Sequence, residues 1–268
     1  GVQRFAVATI EEALELREAG FNESILILGL VPEDCTDIII EQNLTIVVGS
    51  LDRAKKKSEI AVKRGAVIDC FIAIDSGMGR IGYRIETPLE KEFARTEIEE
   101  IDELEGLRIN GMVSHFATSD EADSTYTNKQ LSLFNDFYEE LAGCGINVPM
   151  LCIANSAAIM DYPKTHFDAV RPGIILYGCY PSEEVDKTRL DLKPVMSVKA
   201  YIIHIKTVPA GTSISYGRRF IADRESKIAT ISIGYADGYS RTLTGKAEVL
   251  VHGHRVPVVG SICMDQCM

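Results

Sequence analysis

Short apolar runs alternate with amphipathic stretches along the first two thirds of the chain. Seven runs have the length and character of buried strands, at residues 5–8, 25–28, 44–48, 69–74, 109–113, 150–153 and 168–170. Between them, stretches such as 10–19 and 131–142 show the spacing of helices with one apolar face. Continuous apolar strands that alternate with helices are typical of a parallel sheet built from βα units. Seven strands are one fewer than a (β/α)8 barrel contains.

The pattern changes at about Pro194. Runs rich in β-branched residues then follow one another closely, at residues 195–208, 213–216, 227–233, 247–251 and 256–262. Closely spaced strands with Pro and Gly between them predict an antiparallel β domain. We interpret the charged segment 181–193 as the linker, which gives a barrel over residues 1–190 and an incomplete β domain over residues 191–268. Because the last run stops within an apparent strand, we expect the natural protein to continue at both ends.

Composition excludes several classes of function. The formal net charge of −11 argues against nucleic-acid binding, which requires basic clusters. The one basic triplet, residues 55–57, is interpreted as the exposed face of a helix. Seven cysteines without a Cys-x-x-Cys pair favour a reducing, cytoplasmic location. No stretch approaches the roughly 18 consecutive apolar residues of a membrane helix, so no membrane contact is expected from this segment.

Two polar turns at predicted strand ends indicate a phosphate-bearing ligand. Ser156 follows the run 150–153 and offers a hydroxyl at a helix start. Gly173 follows the run 168–170 and allows the backbone to approach an anion closely. In (β/α)8 barrels, the loops after the last strands often bind phosphate. Either turn alone is better explained as an ordinary helix cap or turn.

The stretch DSGMGRIG at residues 75–82 matches the dinucleotide fingerprint Gly-x-Gly-x-x-Gly. That fingerprint requires an acidic residue at the end of a second strand about 20 residues further on. The acidic run 99–103 has no strand before it. We therefore interpret the glycines as a tight turn that presents Arg80.

Histidines occur in two kinds of position. His115 follows the run 109–113 at a strand end, where a functional and a structural role are equally expected. His252 and His254 flank a glycine between two strands of the β domain, which a hairpin turn explains. No metal site is predicted.

Taken together, the motifs resemble those of alanine racemases along essentially the whole chain. The matching strings are AVAT at 6–9, DSGMGRIG at 75–82, SHFA at 114–117, ANSAA at 154–158, RPGI at 171–174, LYG at 176–178, SYG at 215–217, GYADGY at 234–239 and CMDQ at 263–266. The resemblance implies an α/β architecture, a (β/α)8 TIM-type barrel that lacks its first strand, followed by a truncated antiparallel β domain. It also implies a homodimer in which each active site takes β-domain residues from the partner subunit.

The resemblance further implies pyridoxal 5'-phosphate (PLP) as the cofactor. Ser156, Gly173 and Ile174 would bind its phosphate, and Asn155 belongs to the same cofactor-binding set. Arg171 would donate a hydrogen bond to the pyridine nitrogen. A guanidinium does not give up its proton, so the ring would remain a weak electron sink and would favour racemisation over transamination.

The catalytic and substrate-binding groups follow from the same resemblance. Tyr216 would be the base that acts on the L-enantiomer, and His115 would connect it by hydrogen bonds towards the arginine on the cofactor ring. Arg80 and the backbone amide of Met264 would bind the substrate carboxylate, and Asp265 would orient the Met264 loop. These roles predict interconversion of L- and D-alanine by two bases, which supplies a D-amino acid for peptidoglycan.

The sequence departs from the family pattern in two places. The motif Lys-x-x-x-Tyr-Gly-His-Gly, whose lysine forms the Schiff base and acts as the second base, is absent, and we expect it to precede residue 1 together with the first strand. Ala73 stands where many relatives carry a carbamylated lysine that braces the arginine matching Arg80.

Alternative hypotheses stay open at this point. A PLP-dependent decarboxylase of the same fold type would share both domains, although the strings SYG and MDQ favour a racemase. A chain without the Schiff-base lysine could also be a catalytically silent PLP-binding protein. Serine is an alternative substrate, and serine racemases can carry a membrane domain upstream. A nicotinamide-dependent oxidoreductase is the weakest hypothesis.

Overall fold

A computed structural model describes residues 2–268. The chain forms two compact units, one that extends to Val195 and another over Met196–Met268. Each unit has its own buried apolar clusters. The two units are described separately below.

The first unit is built on a parallel sheet. Its strands are β1 (Arg4–Val7), β2 (Ser24–Ile27), β3 (Thr45–Val48), β4 (Ile68–Asp75), β5 (Tyr83–Arg84), β6 (Leu107–Val113) and β7 (Leu151–Cys152). Strands β1 to β4 pair in chain order, β4 pairs with β6, β6 pairs with β7, and the short β5 pairs with the end of β4. Strand β3 is buried at every position because helices and the sheet interior cover its two faces. This sheet of consecutive parallel strands confirms the predicted α/β class.

Within residues 2–268, six α-helices alternate with or follow these strands. They are α1 (Ile10–Glu18), α2 (Thr36–Glu41), α3 (Leu51–Lys63), α4 (Pro88–Asp102), α5 (Thr125–Gly143) and α6 (Ser156–Asp161). Capping boxes at Thr9 and Thr87 fix the starts of α1 and α4. Each threonine hydroxyl accepts the backbone N–H of a glutamate three residues later, and the carboxylate of that glutamate accepts the backbone N–H of the threonine. None of the helices within residues 2–268 is long and apolar enough to cross a membrane.

Helix α5 begins earlier than the apolar pattern indicates. The sequence predicts a helix over residues 131–142, whereas α5 starts at Thr125. Its first turns face the interior with the polar residues Thr127 and Gln130, both buried. A pattern read from apolar positions alone does not detect a buried polar face.

The prediction of a strand at residues 168–170 is wrong, because this segment forms no strand. The N–H of Asp168 donates to the carbonyl oxygen of Leu151 at 3.3 Å, and the N–H of Arg171 donates to that of Ala154 at 2.9 Å. Between these bonds the ladder is interrupted, because the Asp168 carboxylate accepts the Leu151 N–H at 2.9 Å. Phe167 has a φ of +42°, which bends the chain. The segment therefore runs beside β7 without forming a strand.

The interpretation of residues 55–57 as an exposed face is correct for only part of the triplet. Lys55 and Lys56 are exposed, but Lys57 is buried, and its Nζ donates to the carbonyl oxygens of Val31 at 2.9 Å and Pro32 at 3.1 Å. Burial lowers the pKa of Lys57. Consecutive residues of a helix point about 100° apart, so three in a row do not share one face.

The predicted linker packs against α6. Val185 is buried in an apolar cluster with Ala157 and Met160. Arg189 donates to the carbonyl oxygens of Met160 at 3.2 Å and Asp161 at 3.3 Å. By its contacts, this segment belongs to the first unit.

The second unit contains antiparallel strand pairs. Its strands are β8 (Ile202–Val208), β9 (Ser213–Ile214), β10 (Phe220–Ile221), β11 (Ser226–Ile231), β12 (Glu248–Val251) and β13 (His254–Pro257). Strand β8 pairs with β11, β9 with β10, and β12 with β13. The antiparallel pairing confirms the predicted β domain.

Predicted strands of the second unit are shorter than expected, most of all the runs 195–208 and 256–262. Residues 195–201 and 258–262 lie outside the strands. In the second segment, the N–H of Val258 donates to the carbonyl oxygen of Ala247, and the N–H of Val259 donates to the carbonyl oxygen of Met268. Consecutive residues therefore form hydrogen bonds with two different segments of the chain. A run of β-branched residues indicates an extended chain, but a strand also requires one continuous neighbour.

Candidate active site

A cavity of about 440 Å³ opens at the carboxyl ends of the parallel strands. Apolar residues such as Ala73 and Val113 form part of its wall, and Arg80, His115 and Arg171 contribute its charged and titratable side chains. All three of these side chains were predicted from the sequence as site residues. Strand ends gather functional groups because the loops that follow parallel strands meet at one edge of the sheet.

Arg171 is held by acceptors from two strand ends. Its Nη1 donates to the carbonyl oxygen and Sγ of Cys152, at 3.0 and 2.9 Å. Its Nη2 donates to the carbonyl oxygens of Ser114 at 2.6 Å and Ile153 at 3.2 Å, and to Nδ1 of His115 at 3.1 Å. The Nε–H makes no hydrogen bond within residues 2–268. A guanidinium fixed in this way keeps one N–H for a ligand and retains its proton.

His115 is half-buried directly beyond β6. Arginine has no acceptor, so Nδ1 of His115 accepts from Arg171 and the ring proton lies on Nε2. Burial, supported by the positive charges of Arg171 and Arg80, lowers the pKa of His115 to about 4. The imidazole is therefore neutral near pH 7 and offers one N–H donor.

The loop at residues 75–82 is the tight turn that the sequence predicts. Oδ1 of Asp75 accepts the N–H groups of Gly77 at 3.0 Å and Gly79 at 2.9 Å. Gly82 has a φ of +102°, and a Cβ there would lie 2.6 Å from the carbonyl oxygen of Ala73. This geometry admits only glycine and brings Arg80 to the cavity. No ion pair within residues 2–268 includes Arg80.

The two predicted anion-binding turns contact each other. Oγ of Ser156 accepts the N–H of Gly173 at 2.9 Å. A Cβ at Gly173 would meet only this Oγ, at 3.6 Å, so the backbone there is open to a close approach. Ile174 starts a short 3-10 helix, Ile174–Tyr177. Oδ1 of Asn155 caps α6 by accepting the N–H of Ala158 at 3.1 Å.

In the second unit, Tyr216 lies on a loop with an unusual backbone. Ser215 has a φ of +63° and Arg218 a φ of +48°, both in the left-handed region that non-glycine residues seldom adopt. Oγ of Ser215 donates to the carbonyl oxygen of Ser261 at 2.6 Å, and Oγ of Ser261 donates to that of Tyr216 at 2.9 Å. The Tyr216 side chain is 74% exposed. Reciprocal serine bonds therefore hold this loop in one shape while the phenol remains accessible.

The Met264 loop is braced by the GYADGY string of the sequence. The N–H groups of Tyr235 and Ala236 donate to the carbonyl oxygens of Cys263 at 3.0 Å and Met264 at 2.9 Å. A Cβ at Gly234 would collide with the Met264 carbonyl, so the close packing requires glycine. The N–H of Met264 makes no hydrogen bond within residues 2–268. The orienting role of Asp265, an exposed residue, stays a prediction.

Apart from His115, sequence reasoning missed the groups that hold Arg171. The sequence pattern indicates Cys152 as an apolar strand residue, yet its thiol accepts a hydrogen bond from the Arg171 guanidinium. The carbonyl oxygens of Ser114 and Ile153 leave no signal in a side-chain pattern. Within residues 2–268, no three His, Cys, Asp or Glu side chains are grouped to hold a metal ion.

The fold and the cavity define a class of protein in which a βα sheet of the barrel type carries a cavity with two arginines at its strand ends and precedes an antiparallel β domain. The family model of the alanine racemase N-terminal domain matches residues 1–181, and that of the C-terminal domain matches residues 195–268. The chain belongs to the alanine racemase family.

Individual relatives agree with the family match. An alanine racemase of Clostridium novyi is 50% identical over 268 residues, which are 100% of this chain and 68% of that protein. The structure of an alanine racemase from Clostridium difficile 630 has a TM-score of 0.91 at 41% identity and covers 100% of this chain and 68% of that chain. The structure from Bartonella henselae, with covalently bound pyridoxal phosphate, has a TM-score of 0.85 at 31% identity and covers 100% of this chain and 71% of that chain.

Proposed function

We propose that this protein is a PLP-dependent racemase that interconverts L- and D-alanine in the cytoplasm and supplies D-alanine for peptidoglycan. The observation that carries the proposal is the fixed Arg171 guanidinium, bonded to a neutral His115 at the edge of a cavity that also contains Arg80. The spare N–H of Arg171 suits an acceptor on a cofactor ring. The neutral imidazole of His115 suits a hydrogen-bond link towards the base, and the unpaired Arg80 suits a substrate carboxylate.

The described residues fit PLP. The Ser156 hydroxyl, which accepts the Gly173 N–H, keeps its own proton as a donor to a phosphate. The open backbone at Gly173 lets that phosphate approach closely. The Nε–H of Arg171 matches an acceptor such as a ring nitrogen. When bound, this cofactor withdraws electrons from the α-carbon of an attached amino acid. The guanidinium donates a hydrogen bond without transferring its proton, which limits that withdrawal and favours return of a proton to the α-carbon.

Proton transfer is assigned to Tyr216, and His115 supports it as a hydrogen-bond donor. The phenolic oxygen of Tyr216 removes the α-proton of L-alanine or returns it. His115 stays neutral because its pKa is about 4, so it holds its Nε2 proton as a donor and does not compete as a base. Racemisation requires a second base on the opposite face, which the resemblance assigns to the family's cofactor-linked lysine.

Substrate binding and assembly complete the proposal. Arg80 has no acidic partner within the described residues, and the Met264 N–H is free of hydrogen bonds there, so both suit a substrate carboxylate. We propose that the protein forms homodimers in which Tyr216 and Met264 of one chain complete the barrel site of the other.

A racemisation assay tests the proposed function directly. The full-length protein, loaded with PLP, is incubated with L-alanine or L-serine, and the products are separated by chiral chromatography. We expect D-alanine as the main product and slower conversion of serine. Release of carbon dioxide without D-alanine would favour the decarboxylase hypothesis instead.

The phosphate site is tested with Ser156→Ala. Loss of one hydrogen bond to a charged group is expected to weaken PLP binding about tenfold or more. Binding of pyridoxal, which has no phosphate, should change little. Ser132→Ala, an exposed serine on α5, is the control. An equal loss for PLP and pyridoxal, measured by equilibrium titration, would argue that Ser156 acts elsewhere.

A further inference from the structure

Gln130 of α5 is fully buried and contacts the backbone that carries His115. Its Nε2 donates to the carbonyl oxygen of His115 at 3.0 Å, and its Oε1 accepts the N–H of Ala117 at 2.9 Å. The side-chain amide thus replaces a neighbouring strand at a point where the sheet ladder of β6 has ended. Because one group must donate and the other must accept, the amide is fixed in a single orientation.

The same amide reaches the loop that carries Arg80. Nε2 of Gln130 lies 3.5 Å from Oγ of Ser76, which lies 2.9 Å from Oγ of Ser114. Gln130, Ser76 and Ser114 are all buried, so water does not compete for these bonds. The network therefore connects the loops after β4 and β6 beneath the cavity.

A second contact from α5 strengthens this connection. One turn before Gln130, the hydroxyl of Tyr126 donates to the carbonyl oxygen of Gly77 at 2.8 Å. Residues four apart on a helix lie on the same face. The first turns of α5 thus hold the loops of Arg80 and His115 together.

We propose that Gln130 is a positioning residue for proton transfer, which it supports by fixing the His115 backbone so that Nδ1 remains bonded to Arg171. This inference rests on the proposed function. The distance from Nδ1 to Nη2 of Arg171 is 3.1 Å, near the upper end of the hydrogen-bond range, so a small shift of the backbone breaks the bond. A broken bond releases the imidazole from its Nε2–H form.

Two substitutions separate the bonds that Gln130 makes. Gln130→Glu keeps the acceptor for Ala117 and, once its carboxyl is ionised, removes the donor to His115, whereas Gln130→Met keeps the length and removes both. We expect kcat for alanine to fall about tenfold or more in both variants, since small misplacements of catalytic groups have effects of this size. KM should stay near wild type because Tyr126 still holds Gly77 in the Arg80 loop. PLP affinity should also stay near wild type, because Ser156 and Gly173 lie on other elements.

The matched control is Thr127→Val. Thr127 is buried on the same helix, and its Oγ1 lies 3.3 Å from that of Thr118, without contact to His115. This variant is expected to lower the Tm and leave kcat unchanged. The inference fails if the Gln130 variants retain wild-type kcat. It also fails if kcat falls, KM rises and PLP affinity weakens together, in proportion to the fall in Tm, because Gln130 then has only a structural role.

Nitrogen-15 NMR of histidine-labelled protein provides a readout that does not depend on activity. In the wild type, His115 should give the signals of a neutral Nε2–H tautomer with Nδ1 hydrogen-bonded, assigned with His115→Gln. The Gln130 variants should show a mixture of tautomers, and an unchanged spectrum would overturn the inference. A wild type that does not racemise alanine would instead reject the proposed function, while the spectral change would still support positioning.

Discussion

Replacing Tyr216 with phenylalanine is expected to lower racemisation of alanine about 10²- to 10⁴-fold, the range typical for loss of a general acid–base group. The change removes only the phenolic hydroxyl, and the loop is held by Ser215 and Ser261 through contacts that do not involve the ring. Binding of PLP should therefore be unchanged. Because L- and D-alanine have equal free energies in water, kcat/KM must fall by the same factor in both directions.

Exchange of the α-hydrogen distinguishes the two faces of the substrate. In deuterium oxide, the Tyr216→Phe variant should still label D-alanine, because the base on that face remains, but it should lose labelling of L-alanine. Mass spectrometry of each enantiomer measures both rates. Tyr201→Phe, which alters an 83% exposed tyrosine of the same unit, should behave as wild type. Wild-type labelling of L-alanine by Tyr216→Phe would contradict the assigned role.

Mixing two inactive variants is expected to restore activity. Arg171→Ala removes the guanidinium of the barrel site, and Tyr216→Phe removes the base of the β domain. If each site combines the barrel of one subunit with the β domain of the other, a heterodimer has one doubly altered site and one intact site. Random exchange makes about half of the dimers heterodimers, so about a quarter of wild-type activity should return.

The control for this experiment mixes Arg171→Ala with a variant that carries both changes, a combination that yields no intact site. Differently tagged chains show by affinity capture that subunits have exchanged. Absence of recovery after verified exchange would mean that Arg171 and Tyr216 act within one chain.

Much of the fold follows from periodicity, and its failures have physical causes. Runs such as 25–28 and 44–48 become strands because largely continuous apolar residues suit a sheet covered on both faces. The run 168–170 does not, since the Asp168 carboxylate replaces a backbone acceptor and Phe167 bends the chain. Such local competition between side chain and backbone is not visible in an apolar pattern.

The candidate site is predictable where function depends on side-chain type. Arg80 and His115 were found because they follow predicted strands, and Arg171 through the resemblance to alanine racemases; the structure places all three at one cavity. Gln130 was missed, because it precedes the predicted helix 131–142, and a polar residue at the start of a helix is usually exposed. Its burial depends on backbone groups at His115 and Ala117 that need partners, which only the three-dimensional structure reveals.

The way Arg171 is held has a consequence for how this family can diverge. Ser114, Cys152 and Ile153 each contribute a carbonyl oxygen to the guanidinium, and a carbonyl oxygen is present whatever side chain occupies the position. Point mutations at these positions therefore leave most of the arginine's acceptors in place as long as the strands keep their path. The position of Arg171 beside the proposed cofactor ring therefore depends on the path of the backbone more than on side-chain identity. Proteins that share this backbone path can hold the arginine in the same way with different neighbouring side chains.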